Sequence, residues 1–152
     1  MNNLTENKII KIASENEMKI FAQKLAKTCK KGDIFALKGS LGVGKSFFAR
    51  AFIQSLTSDK QSILSPTFNL VYNYNSIKGN IFHFDLYRLK SEIELENIGF
   101  FDNLQDSIYL IEWPEIAEKF LPSHHTITIE ISDKENEQAR KISIKPKSVI
   151  RK

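Results

Sequence analysis

Apolar positions repeat at helical spacing in two segments of the chain. The first segment spans residues 14–30, and its Ser14-x-x-Glu17 pattern is typical of a capping box at a helix start. The second segment begins near residue 45. The apolar faces of these predicted helices consist of Met18, Phe21, Ala22, Leu25 and Cys29, and of Phe48, Ala49, Phe52, Ile53 and Leu56. A third, short acidic helix is predicted over residues 91–97.

Short apolar runs and alternating segments predict the strands. Residues 34–37 and 108–111 are continuous apolar runs, a pattern typical of buried parallel strands. Residues 126–131 and 141–145 alternate between apolar and polar positions, which predicts an antiparallel C-terminal strand pair with one polar face. Two further strands, joined by a turn, are predicted at residues 68–75 and 80–84. The mixture of strands and helices predicts an α/β fold with a mixed, mainly parallel central sheet.

Length and composition fit one globular domain. The 152 residues are 41% hydrophobic and 26% charged, and no repeat or linker divides them, so residues 1–152 are expected to form a single domain. No apolar run approaches the roughly 20 residues of a membrane-spanning helix, and the amino terminus lacks the pattern of a secretory signal. We therefore expect no membrane association. The single cysteine, Cys29, permits no internal disulfide and fits a cytoplasmic protein.

The formal net charge of +4 is compatible with nucleic-acid binding. Lysine is abundant along the whole chain, however, so a compositional bias is the favoured explanation of this charge. The local exception is the tail from residue 140 to 152, which has six basic residues and no acidic residue. Whether this tail contacts nucleic acid stays open from the sequence alone.

Residues 39–46, GSLGVGKS, match the phosphate-binding pattern G-x-x-x-x-G-K-[ST] in full. Glycines allow successive backbone amides to converge on phosphate oxygens, and the amino-terminal end of the following helix adds positive potential. Lys45 supplies a cation for the β and γ phosphates, and Ser46 supplies a hydroxyl for Mg²⁺. A predicted strand precedes the loop and a predicted helix follows it. The sequence therefore predicts a nucleoside triphosphate site in a single P-loop NTPase domain.

A P-loop site also needs a carboxylate at a strand end to hold Mg²⁺. Asp85 ends one predicted strand and Glu112 ends another, so at least one of them is expected to hold the metal. The residues alone leave open which of the two ligates Mg²⁺ and which positions water. Thr67 follows Pro66 in a polar loop, where it either contacts the γ-phosphate and Mg²⁺ or belongs to an ordinary loop.

The histidines and the single tryptophan carry weaker signals. His83, His124 and His125 lack a metal-ligand spacing with Cys29, so no zinc site is predicted. His83 lies on a predicted strand and is interpreted as a structural histidine rather than a catalytic base. By default, Trp113 is interpreted as a packing residue.

Four segments in this order and spacing resemble the TsaE family, formerly called YjeE. They are GSLGVGKS, SPTFNLVYNY, HFDLYRL and IEWP, which begin at residues 39, 65, 83 and 111. The resemblance extends over nearly the whole chain, and the last two segments make it specific. It implies a small bacterial P-loop ATPase that acts with the TsaB and TsaD proteins in the threonylcarbamoyladenosine modification of tRNA, beside the anticodon. The resemblance further implies that TsaD performs the transfer, that ATP hydrolysis supports repeated turnover, and that tRNA is met through the complex.

The resemblance also implies roles for residues in the matching motifs, with ATP and Mg²⁺ as cofactors. Lys45 and Ser46 correspond to the phosphate and Mg²⁺ contacts. Glu112 resembles the Mg²⁺ carboxylate of the family, and Asp85 the acidic residue needed for hydrolysis, with Asp85 kept as a second metal candidate. Thr67 lies in the switch-like loop of the family and is expected to assist catalysis.

A larger set of residues is expected to contact the nucleotide. Trp113 corresponds to the signature tryptophan of the family. Met18 stands where the family often has a threonine near the adenine, and Arg140 is the candidate for a basic residue of the last hairpin that approaches the nucleotide. The expected nucleotide-binding residues are Gly39, Leu41, Gly42, Val43, Gly44, Lys45, Ser46, Phe47, Met18, Trp113 and Arg140.

Three other functions are compatible with a P-loop. A GTPase would need an N/T-K-x-D segment to read guanine, and the sequence has none. A small nucleoside or nucleotide kinase is the main alternative, although it usually carries an arginine-bearing lid. A third possibility is an ATP-gated binding module whose hydrolysis is incidental, and which would keep complex assembly when hydrolysis alone is blocked.

The scarcity of arginine bears on the expected rate of hydrolysis. An arginine at the γ-phosphate contributes ~10³–10⁵ to the rate of such enzymes. The chain has Arg50, Arg88, Arg140 and Arg151. Arg50 falls on the predicted P-loop helix, and Arg88, three residues after Asp85, is expected to make a surface contact. The isolated chain is therefore expected to be a slow ATPase that its partners activate.

Overall fold

The structure is a computed structural model that describes residues 6–58 and 70–147. In these two ranges the chain forms seven strands and three α-helices, and two short 3₁₀ helices follow the fifth strand. The strands are β1 (Lys8–Ile12), β2 (Ile34–Lys38), β3 (Val71–Ser76), β4 (Gly79–Asp85), β5 (Ile108–Glu112), β6 (His125–Ile131) and β7 (Arg140–Lys145). The helices are α1 (Glu15–Thr28), α2 (Lys45–Leu56), α3 (Glu92–Asn97) and the 3₁₀ segments Pro114–Ile116 and Glu118–Phe120.

All seven strands join one mixed sheet in the order β1-β7-β6-β2-β5-β4-β3. The central strands β6, β2, β5 and β4 are parallel to one another, whereas the pairs β1–β7, β6–β7 and β3–β4 are antiparallel. The predicted α/β class, the mainly parallel centre and the antiparallel C-terminal pair are thus confirmed. Because β2, β5 and β4 are parallel neighbours, their carboxyl ends meet at one edge of the sheet, where ligands bind in open α/β sheets.

Apolar layers cover both faces of the sheet. Helices α1 and α2 pack on one face, where the Phe35 and Phe52 rings lie 5.3 Å apart between centroids. A smaller cluster covers the other face, where Phe84 contacts Phe100 at 4.9 Å and the Tyr109 hydroxyl donates a 2.6 Å hydrogen bond to the Phe100 carbonyl. Burial on both faces explains why β2 and β5 are continuous apolar runs rather than alternating ones.

Helix α1 begins with the capping interactions that its sequence predicts. The Glu17 amide donates a 3.2 Å hydrogen bond to Ser14 Oγ. The Glu17 carboxylate accepts a hydrogen bond from the amide of Ala13, whereas a capping box would use the amide of the N-cap residue, Ser14. The helix ends at Thr28, two residues before the end of the predicted segment.

Strand β1 is an element that the sequence analysis does not predict. It pairs in the described part of the chain only with β7, in a register that sets Ile10 opposite Ile142. More than 130 residues separate these two positions in the sequence, so no local pattern predicts that they pair. The predicted strand at residues 68–75 is observed as β3, which begins at Val71, because Leu70 is described but does not belong to the strand. Residues 68 and 69, like Thr67, lie outside the described residues.

The basic tail is partly described. Lys147 lies on the sheet edge opposite the carboxyl ends of β2 and β5, with Nζ 2.8 Å from Asp33 Oδ1. This lysine therefore has an intramolecular partner. Arg151 and Lys152, the last basic residues of the tail, lie outside the described ranges. No helix in residues 6–58 or 70–147 combines the length and the apolar character needed to cross a membrane.

Candidate nucleotide-binding site

The loop between β2 and α2 is shaped by glycines. Its three glycines have positive φ, at 148° for Gly39, 78° for Gly42 and 118° for Gly44. A Cβ on Gly39 would lie 2.5 Å from the Ile129 carbonyl oxygen and 2.7 Å from Val43 Cγ1, which no side chain tolerates. Gly39 is therefore required by the close approach of β6, as well as by its backbone conformation.

Helix α2 presents an amino terminus without a side-chain cap at the end of this loop. Gly44 is the N-cap residue, and the first helical residue is Lys45. The first amides of a helix have no acceptor within the helix, and together with the helix dipole they favour an anion. The loop and the helix start thus supply a binding surface suited to phosphate.

Lys45 lies inside the site rather than in solvent. Its side chain is only 4% exposed, and Nζ donates a 2.5 Å hydrogen bond to the Gly39 carbonyl. Nζ also lies 3.3 Å from the centre of the Trp113 ring, which is a cation–π contact. Burial lowers the pKa of Lys45, and the negative charges of Glu112, Glu115 and Asp85 oppose that shift.

Glu112 lies at the carboxyl end of β5 and is bonded on both carboxylate oxygens. Ser46 Oγ donates a 2.8 Å hydrogen bond to Oε1, and Oε2 lies 2.7 Å from His83 Nε2. Glu112 is 2% exposed. The carboxylate is thus fixed between the first turn of α2 and a neighbouring strand, within reach of the phosphate-binding loop.

Asp85 ends β4 directly beside Glu112, since the parallel register sets the two residues opposite each other. Its Oδ1 accepts a 3.1 Å hydrogen bond from the Tyr87 amide. Burial raises the pKa of Asp85, and the charge of Glu112 adds to the rise, while the Tyr87 amide, His83 and Lys45 oppose it. Both candidate carboxylates therefore meet at one point of the sheet edge.

Trp113 follows Glu112 in a strained backbone conformation. It has φ 55° and ψ 59°, and is the one described residue other than glycine with positive φ. This geometry turns the chain sharply before Pro114, and the indole contacts Tyr87 with 4.8 Å between ring centroids. Strain of this kind concentrates at functional sites. Trp113 thus contacts a site lysine and a neighbouring aromatic side chain, and the default interpretation as a packing residue describes it incompletely.

These side chains surround a cleft of about 360 Å³ at the carboxyl edge of the sheet. The sequence-predicted residues that line it are Leu41, Gly42, Gly44, Lys45, Ser46, Phe47, Asp85, Glu112 and Trp113. Leu70, Tyr87 and Arg88 line it as well, although sequence reasoning did not assign them to the site. Arg88 is exposed, as expected, but it faces the cleft rather than a remote surface.

Comparison with known proteins assigns the family. Residues 12–142 match the family model described as "Threonylcarbamoyl adenosine biosynthesis protein TsaE". The chain belongs to the TsaE family.

Three TsaE relatives illustrate the range of identity, and each is named tRNA threonylcarbamoyladenosine biosynthesis protein TsaE. The Rickettsia bellii protein is 46% identical over 72% of this chain and 76% of its own length. The Rickettsia conorii protein is 45% identical over 71% of this chain, and the match spans 62% of that protein, less than two thirds. The Aquifex aeolicus protein is 32% identical over 85% of this chain and 91% of its own length.

A solved structure shares the fold of this TsaE family member. The crystal structure of Bacillus subtilis YdiB superposes with a TM-score of 0.73 and covers 97% of this chain and 90% of its own. The sequences are 23% identical, so this similarity supports a shared fold only.

Four of the residues expected to contact nucleotide in a TsaE protein do not line the cleft: Gly39, Val43, Met18 and Arg140. Arg140 Nε donates a 2.8 Å hydrogen bond to the Val43 carbonyl, and Nη1 donates to the carbonyls of Glu137 and Ala139 at 2.6 and 2.9 Å. Met18 is buried, with Cε 3.8 Å from the position that a Cβ of Gly44 would take. Arg140 and Met18 therefore support the phosphate-binding loop from outside the cleft.

Leu70 lies in the segment that begins at residue 65, and the other site residues that the sequence does not predict belong to one motif. Tyr87 and Arg88 follow Asp85 in HFDLYRL, and His83 begins the same segment. Their positions within two or three residues of Asp85 were the available signal, because a sharp turn at a strand end keeps such neighbours near the same edge. Thr67 lies outside the described residues, and its expected role stays a prediction.

Proposed function

We propose that this chain binds Mg²⁺-ATP in the cleft and hydrolyses it to ADP and phosphate, as a single P-loop domain. The observation that supports this most is the 2.8 Å contact between Ser46 and Glu112. It joins the hydroxyl of the phosphate-binding loop to a buried carboxylate at a strand end, the pair with which P-loop NTPases hold Mg²⁺. Lys45 lies beside this pair and is suited to the β and γ phosphates.

The donor set fits Mg²⁺, which prefers oxygen ligands and is commonly held by one or two carboxylates plus phosphates and water. Ser46 and Glu112 would hold the ion, and Asp85 lies next to them on the neighbouring strand. Within residues 6–58 and 70–147, no group of three or more His, Cys, Asp or Glu side chains is arranged to hold a metal. The remaining ligands would therefore be phosphate oxygens and water. When bound, the ion supplies positive charge that neutralises the phosphates.

Asp85 is the proposed acidic residue for hydrolysis. It borders the cleft beside Glu112, and its hydrogen bond to the Tyr87 amide holds one carboxylate oxygen. Because its pKa is raised, its carboxylate accepts a proton from water more readily than an ordinary aspartate does. This supports a role in orienting the attacking water, with Glu112 directed at the metal.

We also propose that the chain acts with the TsaB and TsaD proteins in the threonylcarbamoyladenosine modification of tRNA in the cytoplasm. The names of the relatives support the pathway. Leu41 and Tyr87, 78% and 60% exposed, form an apolar rim on the cleft, which suits a partner that covers the nucleotide. Such a partner would exclude water and complete the site, so the isolated chain should turn over slowly. Contact with tRNA would be made through the complex.

The proposal is tested by reconstitution. The chain, TsaB, TsaD and tRNA are combined with ATP and the threonylcarbamoyl donor, and ADP release and the modified nucleoside are both measured. The assembly should release ADP faster than the isolated chain, and modified tRNA should accumulate beyond one turnover. Lys45→Ala should abolish ATP binding, which titration calorimetry with a non-hydrolysable analogue measures.

Lys38→Ala is the matched control, because Lys38 pairs with Glu118 and does not line the cleft. This variant should bind ATP as the wild type does. Wild-type affinity in Lys45→Ala would contradict the assigned site. Equal ADP release by the isolated chain and the assembly would contradict partner activation, and a phosphorylated acceptor among the products would indicate a kinase.

A further inference from the structure

His83 is a buried histidine bonded to the carboxylate at the centre of the site. It lies on β4, two residues before Asp85, and its side chain is 0% exposed. Its Nε2 lies 2.7 Å from Glu112 Oε2, while Ser46 Oγ bonds the other oxygen of the same carboxylate at 2.8 Å. Glu112 is therefore held from two sides, by the phosphate-binding loop and by His83.

The hydrogen bond also determines where the ring proton of His83 lies. A carboxylate is an acceptor, so Nε2 must carry the proton and donate it to Glu112. Nδ1 has no hydrogen-bond partner in the described part of the chain. The polar function of the ring is thus directed at one atom, Glu112 Oε2.

Packing alone does not explain a histidine at this position. Successive inward positions on this face of β4 are Ile81, His83 and Asp85, because side chains two residues apart share a face of a strand. Ile81 is fully buried and apolar, and Leu110, the neighbour of His83 across the parallel ladder, is too. An apolar side chain would satisfy these contacts, whereas only a donor satisfies the second oxygen of Glu112.

We propose that His83 is a positioning residue for the magnesium-binding carboxylate, and this inference rests on the Mg²⁺-ATP site proposed above. By holding Oε2, the ring fixes the rotation of the Glu112 carboxylate, so that Oε1 stays directed at Ser46 and the phosphate-binding loop. Without this bond the Glu112 carboxylate can rotate away from the phosphate-binding loop. Metal binding must then also fix the orientation of the carboxylate, which lowers the affinity for the ion. Partners that hydrogen-bond a ligating side chain in this way typically contribute 10–100-fold to metal affinity.

Two substitutions separate the hydrogen bond from the packing. His83→Gln places an amide nitrogen near the position of Nε2 and keeps a donor for Glu112. His83→Leu keeps the approximate volume and removes the donor. The readout is the Mg²⁺ concentration that half-saturates binding of a fluorescent ADP analogue, with a parallel titration of the analogue in EDTA. Neither measurement requires turnover.

His125 provides the matched control. It is also buried, and it lies near a carboxylate, with Nε2 3.9 Å from Asp33 Oδ1, but at the start of β6 and away from the cleft. Its Nδ1 accepts a 3.1 Å hydrogen bond from the Lys147 amide. His125→Leu should lower the midpoint of thermal unfolding and leave the Mg²⁺ requirement unchanged.

The expected result is a 10–100-fold higher half-saturating Mg²⁺ concentration in His83→Leu, a value near that of the wild type in His83→Gln, and unchanged affinity for the analogue in EDTA. Wild-type Mg²⁺ dependence in a folded His83→Leu would overturn the inference. If that variant does not fold, His83→Met, which also lacks a donor for Glu112, takes its place, and wild-type Mg²⁺ dependence in His83→Met would overturn the inference as well. Absence of Mg²⁺-dependent binding in the wild-type chain would instead contradict the proposed function.

Discussion

The hydroxyl of Ser46 donates a hydrogen bond to Glu112 Oε1 at 2.8 Å, although 66 residues separate them. Ser46 belongs to the first turn of α2, and Glu112 is the last residue of β5. Strands β2 and β5 are parallel neighbours, so the loop that leaves β2 passes directly over the end of β5. This contact links the phosphate-binding loop to the strand-end carboxylates, and the predictions below depend on it.

Glu112→Gln should weaken nucleotide binding in the presence of Mg²⁺ much more than in its absence. The amide keeps the shape and a bond to Ser46 but removes the charge that the ion requires. The loss of a charged interaction of this kind is about 1.5–3 kcal/mol, or roughly 10–150-fold in affinity. Titration calorimetry with an ATP analogue, with Mg²⁺ and with EDTA, measures both affinities. Glu96→Gln is the control, because Glu96 is exposed on α3 and does not line the cleft. Equal losses with and without Mg²⁺ would assign Glu112 a structural role.

Asp85→Asn should leave Mg²⁺-ATP binding within about twofold of wild type while hydrolysis falls by ~10²–10⁴, the usual contribution of a positioned acid or base. The asparagine retains a carbonyl acceptor for the Tyr87 amide, so the turn after β4 should persist. Single-turnover release of phosphate in the assembled complex measures the rate. Loss of Mg²⁺-dependent binding in this variant would instead identify Asp85 as the main metal ligand.

Gly39→Ala should disrupt the phosphate-binding loop more than Gly42→Ala does. A Cβ on Gly39 would meet the Ile129 carbonyl oxygen at 2.5 Å, whereas a Cβ on Gly42 has no atom within 4 Å. Gly42→Ala should therefore cost only the strain of a positive φ, about 1–2 kcal/mol. Urea unfolding gives the two free energies, and nucleotide binding should be lost in Gly39→Ala. Similar unfolding free energies for the two variants would show that the loop adjusts to the added methyl group.

Asp33 should stabilise the fold at neutral pH but not in strong acid. Burial raises its pKa, yet His125, the Lys147 side chain and the Lys30 amide outweigh burial and lower the pKa from 3.8 to about 2. A carboxylate whose pKa is lowered by folding stabilises the folded state at pH values above its pKa in the unfolded chain. This contribution is lost as the pH falls from about 4 through 2. Asp33→Asn should thus be about 2 kcal/mol less stable at pH 7, with the difference shrinking towards pH 2.

Urea unfolding at several pH values tests this prediction. The exposed Asp102, replaced by Asn, is the control and should change stability by less than about 0.5 kcal/mol. Asp33 lies at the start of β2, away from the cleft, so nucleotide binding by Asp33→Asn should remain normal under conditions where the variant is folded. A stability difference independent of pH would show that packing, rather than the charge of Asp33, accounts for the effect.

Features that depend only on neighbouring residues can be predicted from the amino-acid sequence. The capping pattern at Ser14 and the apolar face of the following helix are local, and so are the apolar run at residues 34–37 and the glycine pattern of residues 39–46. Each is set by backbone conformation and burial within a few residues, which is why the α/β fold and the family follow from short patterns. The ends of two apolar strands also gave Asp85 and Glu112 as the candidate carboxylates.

Which of these residues contact one another is known only from the three-dimensional structure, because a contact between distant segments produces no local sequence pattern. The pairing of β1 with β7, the bond from Arg140 to the Val43 carbonyl, and the bond from His83 to Glu112 join positions 29 or more residues apart. A sequence pattern reports that a position is buried or polar, but not which partner satisfies it. The strand position of His83 therefore predicts only a structural role, whereas the parallel register of β4 and β5 brings its ring against the carboxylate of Glu112.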